Sequence, residues 1–252
     1  MCTLVILRRP GHDWPLLIAA NRDEMGNRPW DAPGRHWPDR PHVIAGHDRT
    51  AGGSWLGVND DRLAAAVLNR HGSLGPQDGK RSRGELPLDA LDHAEAEVAA
   101  EALSHLDGGA YRSFNLIVAD AARAFWVAGD GENRAVRVAE IPEGLSIITA
   151  YDLNDTDSAR IARYLPLFRE ADAPDPGQGA EGWAAWIDLM SEYREWSGGE
   201  ERDAMSFSTD FGFQTVSSSL IALPRPFEPA LKPQWLFCAE RPHPGGFHPI
   251  AP

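Results

Sequence analysis

The chain has little cysteine. Cys2 and Cys238 are the only two in 252 residues, whereas disulfide-stapled secreted domains carry many more in much shorter chains. Stability must therefore come from a packed core, and a reducing compartment is expected. Long apolar runs are also missing. The first ends at Leu7 and is followed, not preceded, by Arg8-Arg9, which is the pattern of neither a signal peptide nor a membrane span. No later segment approaches the roughly 20 apolar residues of a transmembrane helix. No membrane insertion and a cytoplasmic location are expected. Positive charge is scarce: 24 Lys and Arg stand against 37 Asp and Glu, a net charge of −13. Such a surface repels phosphate backbones and anionic head groups, so nucleic acid is not an expected partner. Repeats and low-complexity tracts are absent and no linker divides the chain. A single domain over residues 1–252 is expected, its oligomeric state left open.

What is present is ordinary for a globular protein: 42% of residues are apolar, enough for a full core at this length. Residues 3–7 and 16–20 are apolar and flank Pro10-Gly11-His12-Asp13-Trp14-Pro15, which predicts a β-hairpin. Residues 26–41, rich in Pro, Gly, Trp and Arg, predict a long loop. Short strands are predicted at 43–45, 54–58 and 62–68, then one or two amphipathic helices over 86–106. Strands at 114–119, 124–128, 135–139 and 145–149 precede a helix over about 157–169, whose cap residues lie in 155–158. A loop at 171–180, a helix at 181–194, strands at 217–223 and 234–238 and an irregular tail from Arg241 complete the reading. Hairpin-connected strands with grouped helices predict an α+β fold with mostly antiparallel sheets.

Two features carry chemistry. Cys2 becomes N-terminal if Met1 is removed, and one residue then supplies a thiol nucleophile and an α-amine that titrates near neutrality. The alternative is a small apolar residue at a strand start. The second feature is Asn21-Arg22-Asp23-Glu24, placed at the end of the second hairpin strand and so near Cys2. Arg22 can hold a carboxylate or depress the thiol pKa, and Asp23 or Glu24 can orient the amine. The alternative is a solvated strand end.

Met1-Cys2-Thr3-Leu4, the 20–24 segment, Gly52-Gly53-Ser54-Trp55-Leu56-Gly57-Val58, residues 64–69, Arg83-Gly84-Glu85-Leu86, Ser113-Phe114-Asn115-Leu116-Ile117 and Ser217-Ser218-Ser219-Leu220 run in order over nearly the whole chain. Together they resemble the NRDE family of transport and Golgi organisation protein 2-like proteins. The resemblance implies a four-layer αββα fold of the N-terminal-nucleophile hydrolase type, with Cys hydrolases such as bile salt hydrolases and penicillin V acylases as relatives. It also implies an association with haem handling and trafficking. Cys2 matches the nucleophile position, and Arg22 the nearby arginine. The acid role is open, because the Cys hydrolases place an Asp three residues after that Arg and here Asp23 follows at once. Asn69 is an oxyanion donor or a turn Asn. Ile147 stands where members often have Asn, with Thr149, Asp152 and Asn154 nearest; Val216 stands where many have Arg.

The expected activity is Cys-dependent hydrolysis of a non-peptide C–N amide bond in a small molecule, with Cys2, Arg22, Asp23 and Asn69 catalytic and Asn21, Glu24, Trp55 and Gly53 binding. The alternative is a non-enzymatic haem carrier. No cofactor is required on either reading; haem enters only as ligand. No histidine pair has metal-binding spacing, so no metal is expected. His36, His42 and His47 are close in sequence, and one is a candidate axial ligand. Trp30 and Trp37 can stack on a planar ligand or cover a core edge.

Overall fold

A computed structural model describes residues 2–196, 203–226 and 231–250. The chain begins with β1 (Thr3–Arg8), β2 (Leu16–Met25), β3 (Trp30–Gly34), β4 (Val43–Asp48), β5 (Leu56–Asn59) and β6 (Ala64–Asn69). Helices α1 (Leu86–Leu91) and α2 (Ala96–Ser104) follow. Next come β7 (Phe114–Ala119), β8 (Ala124–Gly129), β9 (Arg137–Glu140) and β10 (Gly144–Ile148). Then come α3 (Ala159–Glu170), α4 (Ala184–Met190), β11 (Tyr193–Trp196), β12 (Ser206–Thr209), β13 (Phe213–Leu223), β14 (Gln234–Cys238) and β15 (His248–Pro249).

Contacts divide the described chain into two compact units. One comprises residues up to Arg28 and from Glu143 to Ile250; the other runs from Pro29 to Pro142. The first unit holds a sheet in the order β10-β1-β2-β13-β12-β11, with β14 also on β13 and β15 on β14. Among its described residues, only β11 and β12 run parallel. One face of this sheet packs Val5, Leu17, Ala19, Leu220 and Ala222 against Ile161, Tyr164 and Phe168 of α3 and Trp186 and Met190 of α4. The second unit is a seven-stranded antiparallel sheet, β3 to β9 in sequence order. Ala65, Leu116, Val118 and Val127 there pack against Leu88, Leu91, Ala99 and Leu103 of α1 and α2. Each unit is thus one sheet with helices on one face, the α+β arrangement expected.

Three departures bear on function. β2 does not end at Ala20 but runs through Met25, because β13 pairs with it along its length, from Leu16↔Leu223 to Met25↔Phe213. The Asn21–Glu24 segment therefore lies inside a strand, its backbone engaged by neighbours, and is not a strand end. The expected 26–41 loop contains β3, an edge strand whose register on β4 slips between Asp31 and Gly34; an edge position tolerates Pro33, which has no N–H to donate. The strands β11 and β12 fall where no alternation signalled them.

Candidate functional site

Side chains alternate faces along β2. Leu17 and Ala19 face the helices, so Asn21 and Asp23 do as well, while Ala20, Arg22 and Glu24 take the other face. The hydrogen bonds agree. Asn21 Nδ2 donates to the carbonyls of Met190 (3.0 Å) and Met205 (2.9 Å), tying β2 to the end of α4. Asp23 turns under the sheet. Its Oδ2 lies 3.3 Å from Arg160 Nη1, and its Oδ1 accepts from Thr215 Oγ1 at 2.7 Å. Arg160 Nη1 also donates to Thr3 Oγ1 at 2.6 Å. The side-chain exposures of Arg160 and Asp23 are 2% and 0%, so this is an ion pair removed from water, held by hydrogen bonds from two further strands.

Cys2 is half-buried and leads into β1 beside β2, where Thr3 pairs with Asn21. Its sulfur lies against the Asp23 backbone: the Asp23 N–H donates to Sγ at 3.4 Å, and Sγ is 3.6 Å from the Asp23 carbonyl. The carboxylate of the same residue is anchored below by Arg160, so the ion pair braces the peptide unit that clasps the thiol. Burial pushes the Cys2 thiol up from its ordinary value. The Asp23 charge adds to this, and Arg22 pulls it down more weakly. A thiol raised in this way is protonated at neutral pH and needs a base to become a nucleophile. Iodoacetamide labelling of protein that retains Met1 should therefore reach its half-maximal rate above the ordinary thiol pKa. Protein starting at Cys2, with an ammonium on the same residue, should titrate lower. Coincident profiles would show that the α-amine does not tune the thiol.

Arg22 is buried to 6% exposure; its Nη2 is 3.9 Å from Glu24 Oε2, and Glu24 also meets Arg28 at 3.6 Å. Opposite Arg22 on β13 stands Ser217, and between Thr215 and Ser217 the register shifts. Val216 is the extra residue of this bulge. Thr215 therefore reaches Asp23 on the helix side, while Ser217 shares the face of Arg22. Ser217 is 1% exposed and its hydroxyl has no hydrogen-bond partner among the described residues. A buried hydroxyl in that state is costly unless something is meant to meet it.

Cys2, Asn21, Arg22, Asp23 and Glu24 are thus gathered in the first unit. Asn69, Trp55 and Gly53 belong to the second. Asn69 ends β6 opposite Phe114. Trp55 lies edge-on to Trp30, with ring centroids 5.8 Å apart, and covers Gly46, where a Cβ would come within 2.2 Å of its ring. Gly53 runs backbone to backbone against Gly84. Asn154 is used locally: Ile147 N–H donates to its Oδ1 at 2.8 Å and its Nδ2 donates to Ser146. Sequence reasoning missed Arg160, Thr215 and Ser217. Arg160 left a trace, since it falls in the first turn of α3 just after the cap Ser158, where the helix dipole disfavours a cation. Spacing along the chain also gave no sign that Asp31, His36 and His47 converge across the β3–β4 hairpin. That convergence comes from pairing between strands, which spacing along one element cannot reveal.

The Transport and Golgi organisation 2 family model matches residues 1–160. The chain belongs to this family. Its curated members include the Transport and Golgi organization protein 2 homolog of Bos taurus, 36% identical over 117 residues, covering 42% of this chain and 38% of that protein. The Homo sapiens homolog is 34% identical over 114 residues, covering 43% and 40%. The matches thus span about two-fifths of the curated relatives. Among solved structures, a Caenorhabditis elegans N-acylethanolamine-hydrolyzing acid amidase ortholog aligns over 99% of this chain and 100% of its own, with TM-score 0.57 and 14% identity. Penicillin V acylase from Agrobacterium tumefaciens aligns over 94% and 83%, with TM-score 0.56 and 14% identity. A conjugated bile acid hydrolase variant from Clostridium perfringens gives 0.55 and 13%, covering 99% and 92%. These likenesses establish that this family member has the N-terminal-nucleophile hydrolase fold. Among the described residues no helix is long and apolar enough to cross a membrane.

Proposed function

We propose that this family member hydrolyses a non-peptide amide bond in a small molecule, with Cys2 as nucleophile. The observation that carries the reading is the clasp on Cys2: sulfur held by the Asp23 backbone, Arg22 beside it, and the Asp23 carboxylate locked on Arg160. With Met1 removed, the α-amine takes the thiol proton as sulfur attacks the amide carbonyl carbon. The proton passes to the leaving amine as the C–N bond breaks, leaving a thioester. Water then attacks the thioester, its proton returns through the amine to sulfur, and the carboxylic acid leaves. Arg22 is suited to a substrate carboxylate. The Ser217 hydroxyl or backbone N–H groups of the first unit are the proposed oxyanion donors. The names of the structural neighbours, an amidase, an acylase and a hydrolase of conjugated bile acids, support the reaction class. The free state of both cysteines suits a reducing compartment such as the cytoplasm.

The test uses protein whose mass shows that Met1 is gone, with a panel of N-acyl amides followed by amine release. Wild type should turn over at least one member, with a burst of amine before steady state, and Cys2→Ala should fall to background. Undiminished turnover by Cys2→Ala would sink the proposal, as would a retained Met1 on fully active protein.

A second reading, a haem carrier without turnover, is favoured by Val216, which places an apolar residue at the bulge beside Arg22 and Asp23. Hemin titration followed in the Soret region distinguishes it. Saturable 1:1 binding by wild type that weakens in Cys2→Ala supports the carrier; linear, non-saturating absorbance counts against it.

A further inference from the structure

The β3–β4 hairpin of the second unit carries a group of side chains that the reaction above does not use. Asp31 and His47 are directly paired across the strands, and His47 Nδ1 lies 3.0 Å from Asp31 Oδ2. The slip in register after Asp31 and the turn beyond Gly34 bring His36 back over His47. Their rings stack with centroids 5.3 Å apart and planes 28° apart. One ligand atom from each of Asp31, His36 and His47 lies within 4.8 Å of the other two.

We propose that Asp31, His36 and His47 bind a divalent first-row transition-metal ion, for which Zn2+ is the natural probe. Two imidazoles and one carboxylate suit zinc and its neighbours, whereas calcium and magnesium prefer oxygen ligands throughout. Three protein ligands leave a fourth position for water or a small ligand.

The surroundings hold the ligands in place. Ala32 O contacts His36 Nε2 at 2.8 Å, and Arg49 Nε donates to Asp31 Oδ2 at 3.0 Å. Trp37 stands edge-on to both imidazoles, with centroids 5.7 and 5.4 Å away, and is itself fixed by donating Nε1–H to Gly52 O. Such partners orient ligands in established metal sites. Ligand distances of about 2.1 Å place tetrahedral ligands about 3.4 Å apart. The three groups must therefore draw in by about an ångström, which side-chain rotation on an edge hairpin allows. Arg49 opposes the ion's charge, but its side chain is 59% exposed and free to swing outward.

The consequence is a clip. Metal would tie the segment after β3 to β4 at the end of the sheet, and an ion that binds only the folded state raises its stability by mass action. The test is titration calorimetry of chelator-treated full-length protein with ZnCl2, alongside thermal melts. Cobalt(II) absorption reports the coordination sphere. One site per chain with micromolar or tighter Kd, a rise in Tm with zinc, and a loss of affinity of at least tenfold in both His36→Gln and His47→Gln is the expected result. His243→Gln, a surface histidine outside the group, should bind as wild type does. No stoichiometric binding, or binding equal in all variants, overturns the proposal. Circular dichroism of each variant at low temperature confirms that lost binding is not lost fold, and the Asp31→Asn variant gives a second reading that leaves both imidazoles in place. Because Cys2→Ala should bind zinc normally, the outcome is separable from that of the hydrolase test.

Discussion

Arg160→Met should lower stability by about 3–5 kcal/mol, the usual cost of stripping one partner from a fully buried ion pair. At roughly 2–4 °C per kcal/mol for a chain of this size, the melting temperature should fall by about 10 °C or more. The size follows from what is left behind. Asp23, with a side-chain exposure of 0%, would keep its bond from Thr215 but lose its counter-charge, and the Thr3 hydroxyl would lose its short contact with Arg160. Combining Arg160→Met with Asp23→Asn should recover much of the loss, because the orphaned charge is then gone. A double variant no more stable than Arg160→Met alone would show that the pair is not the source. The same substitution frees the peptide unit that clasps Cys2, so labelling of the thiol should change with it.

The second large effect is expected at Gly53. A Cβ there would sit 2.4 Å from the carbonyl carbon of Gly84 and 2.5 Å from its oxygen, distances that only backbone movement can relieve. Movement is opposed on both sides: Ser54 N–H donates to Gly84 O at 2.7 Å, and Asp48 N–H donates to Gly53 O at 2.9 Å. Gly53→Ala should therefore cost about 2–3 kcal/mol, the upper part of the range for overpacking. Its neighbour gives the control. Gly52 has φ +74°, and a Cβ added there would meet nothing within 4 Å, so Gly52→Ala pays only left-handed strain, about 1–2 kcal/mol. Thermal melts that rank Gly52→Ala as the worse variant would refute the close-approach account of Gly53.

The sequence made the elements legible where periodicity and caps agree. Ser158 starts α3 by accepting from Ile161 N–H at 3.4 Å, as its position before the apolar pattern suggested. Hairpin β1–β2 was marked by the Pro-Gly turn. What stayed hidden was pairing at a distance. Nothing local says that β2 continues through Arg22 and Asp23, because polar residues in a row look like a strand's end; their strand partner is β13, nearly two hundred residues later. Cys2 and Arg22 were visible as site candidates from their chemistry. The division of Asn21 and Asp23 to one face and Arg22 to the other needs the strand to be continuous. Arg160 and Ser217 depend on which helix and which strand lie alongside, and the His36–His47 stack depends on a slip in register. Each is a tertiary fact, set by partners that spacing along the chain does not encode.

The bulge at Val216 gives β13 one position where its length can change without turning the strand over. Val216 is the residue with no partner on β2. An in-frame loss of its single codon would leave Thr215 directly before Ser217, and regular alternation puts neighbours on opposite faces, where Asp23 and Arg22 already hold them. Loss of Ser219 would instead turn Leu220 and Ala222 out of the apolar layer over α3 and α4, or swing Ser217 away from the face of Arg22. In a survey of variants, the first deletion therefore belongs with point changes and the second with truncations.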